Sequence, residues 1–419
     1  MSTPNNPPPF AFAGPLPPSK SLLIRQLLLK LYEPRIELPL LSQCQDVIAM
    51  QGACQALQAA ESPRIVDCGE AGLVLRLCLG YAARQGGDYL LIGSPRLIER
   101  PHETLLAILR TLGAQVELLQ SAGPSPHAGP ALRVKSAGWR EVSAPLPLVG
   151  GLSSQFASSL LLNAWRLPFA LRLEVGEAPI SAGYLEMSID VARRFGMDVQ
   201  RESPAVLLIP PHQQPTPAAG TAEADVSSAF AVAALAAVAG TAVIANFPQH
   251  SLQPDLAFIA ILAQMGIPIS LAANGLHVSL GERLRPIDVN VGGCPDLVPV
   301  LAVLCALADG RSRLYGAPHL RGKESDRVAT TAALLAALGR ACTPLSDGLE
   351  ILGQPLSAAD KARPCAFDAG SDHRLVMAAG VAARAGFPLA IRGLAAVRKS
   401  FPEFLAIAGI ASGDSQATA

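Results

Sequence analysis

Residues 105–119, LLAILRTLGAQVELL, set the architecture of the chain. Apolar side chains recur there at helical spacing, and Gly113 stands where a helix C-cap needs a left-handed residue. The residues after it alternate as a strand does. The pattern returns in residues 187–200 around Gly196, 256–271 around Gly266 and 332–345 around Gly339. A second strand-like piece follows at residues 131–135, 276–280 and 348–352. The glycines are 83, 70 and 73 residues apart, so the repeat is a supersecondary α/β layer and not a solenoid turn.

At 419 residues the chain is long enough for two or more domains with substantial cores. Lys+Arg and Asp+Glu balance at 33 each, which gives no global field toward nucleic acid or an anionic membrane. Only 16% of residues are charged, as suits an α/β protein with many buried helices. The eight cysteines form no C-x-x-C pair or Cys/His cluster, and those flanked by apolar residues, such as Cys78 and Cys305, read as small buried hydrophobes. No metal-ligand spacing is present. The N-terminus lacks a charged region before an apolar core, so no secretory signal is expected. Residues 230–247 are nearly continuously apolar but are broken by Gly240-Thr241, and they predict a buried helix running into a strand. The expected compartment is cytoplasmic. Domain crossings are expected at Pro17-Pro18 and near residues 222–225.

Many predicted helices open on small, polar or glycine-rich signals. These include Ser19-Lys20-Ser21, Gly69-Glu70-Ala71-Gly72, Gly150-Gly151-Leu152-Ser153-Ser154-Gln155, Asp225-Val226-Ser227-Ser228, Pro295-Asp296, Ser371-Asp372-His373-Arg374 and Lys399-Ser400-Phe401-Pro402. Each reads as an N-cap. A series of such starts bearing Ser, Lys, Arg, Asp or His points to helix N-termini converging on anionic ligands. Residues 318–327, PHLRGKESDR, are the richest of them. A helix opening on Lys-Glu-Ser-Asp-Arg would place Lys323 and Arg327 on one face and turn Glu324 and Asp326 to other sides. Taken alone, such a stretch is equally a solvated helix start.

In order, the motifs PPSKSLLIRQLLL, GEAGLVLR, GSPRLIERP, GGLSSQFASSLLL, SAGYLEMSIDVARRFG, EADVSSAFAVAA, CPDLVPVLAV, RGKESDRV, SDHRLVMA and RKSFPEFL run from residue 17 to residue 405. Together they resemble the 5-enolpyruvylshikimate-3-phosphate (EPSP) synthases, and KESDR, DHR and KSFP are the most specific part. The resemblance implies a two-domain α/β enolpyruvyl transferase fold, each domain of three repeated α/β units, with the active site in the interdomain cleft. Residues 1–18 with 225–419 would form one domain, carrying the phosphoenolpyruvate arginines and the acid–base groups. Residues 19–224 would form the other, binding shikimate 3-phosphate. The implied reaction moves the enolpyruvyl group of phosphoenolpyruvate to the 5-hydroxyl of shikimate 3-phosphate and releases phosphate. It implies no metal, no cofactor, no nucleic-acid or membrane partner, and a monomer.

The resemblance also assigns residues. Ser153, Ser154, Ser181 and Lys323 would hold the 3-phosphate, with Gln155 beside them, and Ser21, Arg25 and Tyr184 would meet the shikimate carboxylate. Lys20, Gly72, Arg100, Gln155, Arg327, Arg374 and Lys399 would surround phosphoenolpyruvate. Asp296 would be the base, with Glu324 and Lys20 moving the other protons. Arginine's planar fork suits carboxylate and phosphate alike.

Departures from the family pattern cluster in the second motif. The usual Asn-Ala-Gly-Thr is Glu70-Ala71-Gly72-Leu73, with Arg76 kept. A carboxylate there should repel phosphoenolpyruvate by roughly 1–4 kcal/mol, according to the local dielectric. Pro18 replaces a glycine, His319 an asparagine, and Ala182-Gly183 a basic residue and a proline. Two other readings compete. One is the sister transferase acting on UDP-N-acetylglucosamine, disfavoured because residues 93–101 hold no cysteine. The other is a repurposed homologue binding a phosphorylated metabolite without turnover, favoured by Glu70 and Leu73.

Overall fold

The computed structural model describes residues 8–38, 42–121, 129–148, 153–177, 179 and 181–411. Gly150-Gly151-Leu152 of the predicted helix start at residues 150–155 lie outside them. The chain divides into two compact units, Pro18–Ala222 and Met1–Pro17 with Glu223–Ala419.

Each unit repeats one plan: a strand, a helix, a second strand parallel to the first, a helix, then an antiparallel hairpin. In Pro18–Ala222 one sheet runs in the spatial order Arg64–Asp67, Gly87–Ile92, Ala131–Ser136, Gln115–Leu119. The first pair is parallel and the others antiparallel. The sheet Leu146–Pro147, Leu171–Glu174, Val206–Ile209, Gln200–Ser203 copies that order. A parallel bridge between Glu37 and Ala219 joins the two ends of this unit. In the other unit the copies are Phe10–Gly14, Gly240–Ile244, Gly275–Ser279, Ile269–Ala272 and Asp288–Asn290, Gly310–Tyr315, Leu349–Gly353, Ala341–Pro344. A parallel pair, Cys365–Asp368 and Leu389–Arg392, completes it.

The four glycines close their helices identically. Gly113, Gly196, Gly266 and Gly339 all have positive φ, between 71° and 102°. In each case the glycine N–H and the next N–H fold back onto the last turn: Gly113 to Arg110 and Ala114 to Leu109, Gly339 to Ala336 and Arg340 to Leu335. This double bond satisfies carbonyls that a helix end leaves orphaned. The apolar run at 230–247 is the buried helix Val226–Ala239 passing into the strand Gly240–Ile244. Among the described residues no helix is long and apolar enough to cross a membrane. Each unit packs around its own apolar core.

Two expectations about helix starts are corrected. The helix after KESDR begins only at Arg327, because the Asp326 side chain accepts from the Val328 and Ala329 amides and fixes the N-cap there. Lys323–Asp326 are therefore not helical. Asp225 and Asp372 also cap with their side chains, whereas Ser19, Ala71, Ser154 and Ser181 make no side-chain cap bond.

Gly113 has a φ of +102°, and a Cβ added there would meet only ordinary contacts with Arg140. Gly113→Ala therefore isolates the backbone cost, about 1 kcal/mol. A melting temperature lowered by about 2–4 °C is expected in a thermal scan.

Candidate active site

Within the unit containing Glu223–Ala419, one guanidinium gathers the charged groups. Arg327 is 1% exposed, and its Nη1 donates to Asp296 Oδ1 at 2.8 Å, its Nη2 to Glu324 Oε2 at 2.9 Å and its Nε to Asp372 Oδ2 at 2.9 Å. A fourth bond joins Nη2 to Asp372 Oδ1. Four of the five guanidinium donors are thus engaged, and the remaining N–H is on the nitrogen beside Asp296. Burial alone would favour loss of its proton, but Asp372, Glu324 and Asp296 outweigh it and hold Arg327 cationic.

The carboxylates come from three elements. Asp296 lies in the 3₁₀ turn Pro295–Leu297, Glu324 in the loop before the helix, and Asp372 caps the helix His373–Ala385. Lys323 Nζ stands 3.6 Å and Arg374 Nη2 3.3 Å from Asp296, and Lys399 Nζ is 3.3 Å from Glu324 Oε1. Burial pushes the Asp296 carboxyl up, yet Lys323, Arg327 and Arg374 together hold it well below the usual carboxylate range. His319 is pushed down to about 4 by burial, assisted by Lys323 and Arg327. It is neutral at pH 7, hence a donor–acceptor group like the asparagine it replaces.

The Pro18–Ala222 unit presents two clusters. Around the start of the helix Gly72–Gln85, Arg76 and Arg100 are both buried. A Cβ at Gly72 would stand 2.8 Å from Arg100 Nη1 and 3.3 Å from Arg76 Nη1, so both cations lie close against the helix end. Arg76 donates to Gln155 Oε1 and stacks on Phe156. Buried His102 bonds Leu97 O through Nε2, and burial with Arg76 lowers it to about 4. In the second cluster Arg25, 1% exposed, donates to Ser188 Oγ at 2.8 Å, Ser21 O at 2.8 Å and Tyr184 O at 3.3 Å. Ser188 Oγ lies 2.7 Å from Ser158 Oγ, which donates to Ser154 O. Ser181 holds a left-handed φ of 53°, a strained conformation for serine. Lys20 pairs with Asp46 at 2.7 Å.

Comparison with known proteins gives the family. The family model for EPSP synthase (3-phosphoshikimate 1-carboxyvinyltransferase) matches residues 26–407. The chain belongs to the EPSP synthase family. A 3-phosphoshikimate 1-carboxyvinyltransferase of Methanosphaerula palustris is 34% identical, over 94% of this chain and 96% of the relative. One from Syntrophobacter fumaroxidans is 35% identical over 80% and 77%. The fold matches an EPSP synthase of Acinetobacter baumannii (TM-score 0.70, 23% identity, 96% and 95% covered). It also matches the enolpyruvyl transferase NikO of Streptomyces tendae (TM-score 0.69, 14% identity, 96% and 95% covered).

Seen against the family pattern, Asp296, Lys323, Glu324, Arg327, Arg374 and Lys399 form one connected charge network. The expectation that Glu324 points away from Arg327 is wrong, since the non-helical loop turns its carboxylate onto that guanidinium. Ser21, Arg25 and Tyr184 meet through Arg25, and Gly72, Arg100 and Gln155 meet at Arg76. Sequence reasoning gave Asp372 no role beyond a helix cap, and none to Asp46, Ser158 or Ser188. Asp372 lay within the SDHR motif, but Ser158 sits in an apolar helix and Ser188 on the buried face of an amphipathic one, and neither carries a local signal. Glu70 is exposed, and Leu73 packs against the apolar core in place of a hydroxyl.

His102 is neutral in the folded state down to about pH 4, whereas an unfolded histidine takes its proton near 6.5. Acidification therefore favours the unfolded state first. The stability linked to His102 is full above about pH 6.5 and is lost toward pH 4, on the order of 1–3 kcal/mol. Between pH 7 and 4.5, His102→Gln should lose less melting temperature than the unsubstituted protein.

Proposed function

We propose that this chain transfers the enolpyruvyl group of phosphoenolpyruvate to the 5-hydroxyl of shikimate 3-phosphate, releasing phosphate. The observation that carries this reading is the Arg327 network, which holds an acid–base set among fixed cations inside a member of the EPSP synthase family. Both substrates are multiply anionic, and preorganised cations and amides stabilise the charge they bring.

Asp296 is the base that draws on the 5-hydroxyl. In the unliganded site its cations make it a weak one. A substrate phosphate meeting Lys323 offsets part of that field and raises its basicity where the hydroxyl arrives. Glu324, bonded to Arg327 and Lys399, and Lys20, paired with Asp46, are the groups that move the remaining protons. Ser153, Ser154, Ser181 and Lys323 hold the 3-phosphate, with Gln155 beside them. Ser21, Arg25 and Tyr184 hold the carboxylate. Gly72, Arg100, Gln155, Arg374 and Lys399 meet phosphoenolpyruvate, joined by the one Arg327 donor left beside Asp296 and by Lys20. The proposal includes a cytoplasmic location and a monomer, as the family resemblance implies, and no cofactor.

Phosphate release from phosphoenolpyruvate should require shikimate 3-phosphate. Asp296→Asn should lower kcat by about 10²–10⁴-fold, the range for a lost proton-transfer group. Release without the acceptor, or an unimpaired Asp296→Asn, would refute the assignment. Binding of shikimate 3-phosphate without any release would identify a repurposed homologue.

Glu70 places a carboxylate just before the helix start that Arg76 and Arg100 flank. Glu70→Asn should therefore lower the KM for phosphoenolpyruvate by about five- to tenfold, the lower part of the Coulomb range for an exposed charge. An unchanged KM would show that the charge is not felt there.

A further inference from the structure

Arg25 differs from Arg327 in its partners. It is 1% exposed, and among the described residues it bonds only neutral oxygens: Ser188 Oγ through Nε, Ser21 O through Nη1 and Tyr184 O through Nη2. Burial lowers it to about 10, so it stays a cation at pH 7. A buried cation with neutral partners is unfavourable by itself, and an anionic ligand relieves it. Three of its five donors are engaged, which leaves one N–H on each terminal nitrogen. Such a pair is the fork that takes a carboxylate through two parallel bonds.

A hydroxyl from another helix fixes the plane of this fork. Tyr184 and Ser188 lie one turn apart on the helix Ala182–Arg194, and Ser188 Oγ and Tyr184 O take Nε and Nη2, one edge of the guanidinium. Ser188 is wholly buried, and its Oγ stands 2.9 Å from Tyr184 O and 2.7 Å from Ser158 Oγ. Either oxygen can take its proton, so a lone pair stays turned to Nε. Ser158, also wholly buried, lies on the helix Gln155–Leu162 and donates to Ser154 O at 3.1 Å. Ser21 O belongs to Arg25's own helix, Lys20–Tyr32, and moves with it, so the restraint from outside comes from Ser188 and Tyr184. We propose that Ser188, backed by Ser158, is a positioning residue: it holds the Nε edge of Arg25 so that the open fork meets the acceptor's carboxylate. The inference rests on the reading of Arg25 given above.

Calorimetric binding of shikimate 3-phosphate to the full chain tests this without requiring turnover. The comparison ligand is the analogue whose carboxylate is reduced to a primary alcohol. The unsubstituted chain should bind the acid at least about tenfold tighter than the alcohol, and Arg25→Gln should erase that preference. Ser188→Ala should raise the Kd of the acid about tenfold, the effect of losing a bond to a charged group, and that of the alcohol less than about twofold. Ser188→Thr keeps the hydroxyl and should hold the acid's Kd within about threefold. Ser158→Ala leaves the three Arg25 bonds in place and should raise it about threefold, again for the acid alone. A preference that survives Arg25→Gln refutes the reading of Arg25 and the proposal with it. A preference lost in Arg25→Gln but intact in Ser188→Ala overturns the proposal alone. So does an equal rise for acid and alcohol in Ser188→Ala, the mark of a structural role. Should Ser188→Ala not fold, a Ser158→Ala variant that weakens both ligands equally, or neither, overturns it.

Discussion

The Arg327 guanidinium is the interaction on which the charged site depends. A buried cation without partners is far too costly, and removing one partner of a buried pair typically costs about 3–5 kcal/mol. Here Asp296, Glu324 and Asp372 meet that need from a turn, a loop and a helix cap. The same bonds that satisfy the cation immobilise the carboxylates of Asp296 and Glu324. Their spacing is fixed by a rigid planar fork and not by flexible side chains.

Several helix starts in the two units are closed differently. In the Glu223–Ala419 part, Asp225, Asp326 and Asp372 close their helices with carboxylates, so the amide donors are satisfied by the protein itself. In Pro18–Ala222 the helices starting at Lys20, Gly72, Gln155 and Ala182 have no N-cap side-chain bond. Their first-turn amides and partial positive charge suit an anionic ligand. One repeated layer thus yields a set of helix ends suited to receiving phosphate and carboxylate, and another set closed by carboxylates, of which Asp372 also binds Arg327.

Much of the architecture was legible along the chain. Four helix–glycine–strand signals were readable because a left-handed C-cap is a local requirement, and all four glycines adopt it. The buried helix at residues 226–239 was legible from its unbroken apolar run. The start after KESDR was misplaced because Arg321 to Asp326 and Asp326 to the amides beyond it compete with helix formation, a balance that periodicity does not record. The resemblance supplied the site residues, but not which of them face one another.

By itself, then, the sequence determined the repeat, the element types, the absence of a net field and membership of the family, because those depend on periodicity, local backbone needs and motif order. Only the tertiary structure decided that Arg327 binds three carboxylates, that Arg25 is a buried strut to Ser188, and that Lys20 pairs with Asp46. Those partners lie 45, 163 and 26 residues apart for Asp372, Ser188 and Asp46 respectively. A charge's partner is fixed by burial and by distances of a few ångströms, and neither is set until the layers pack.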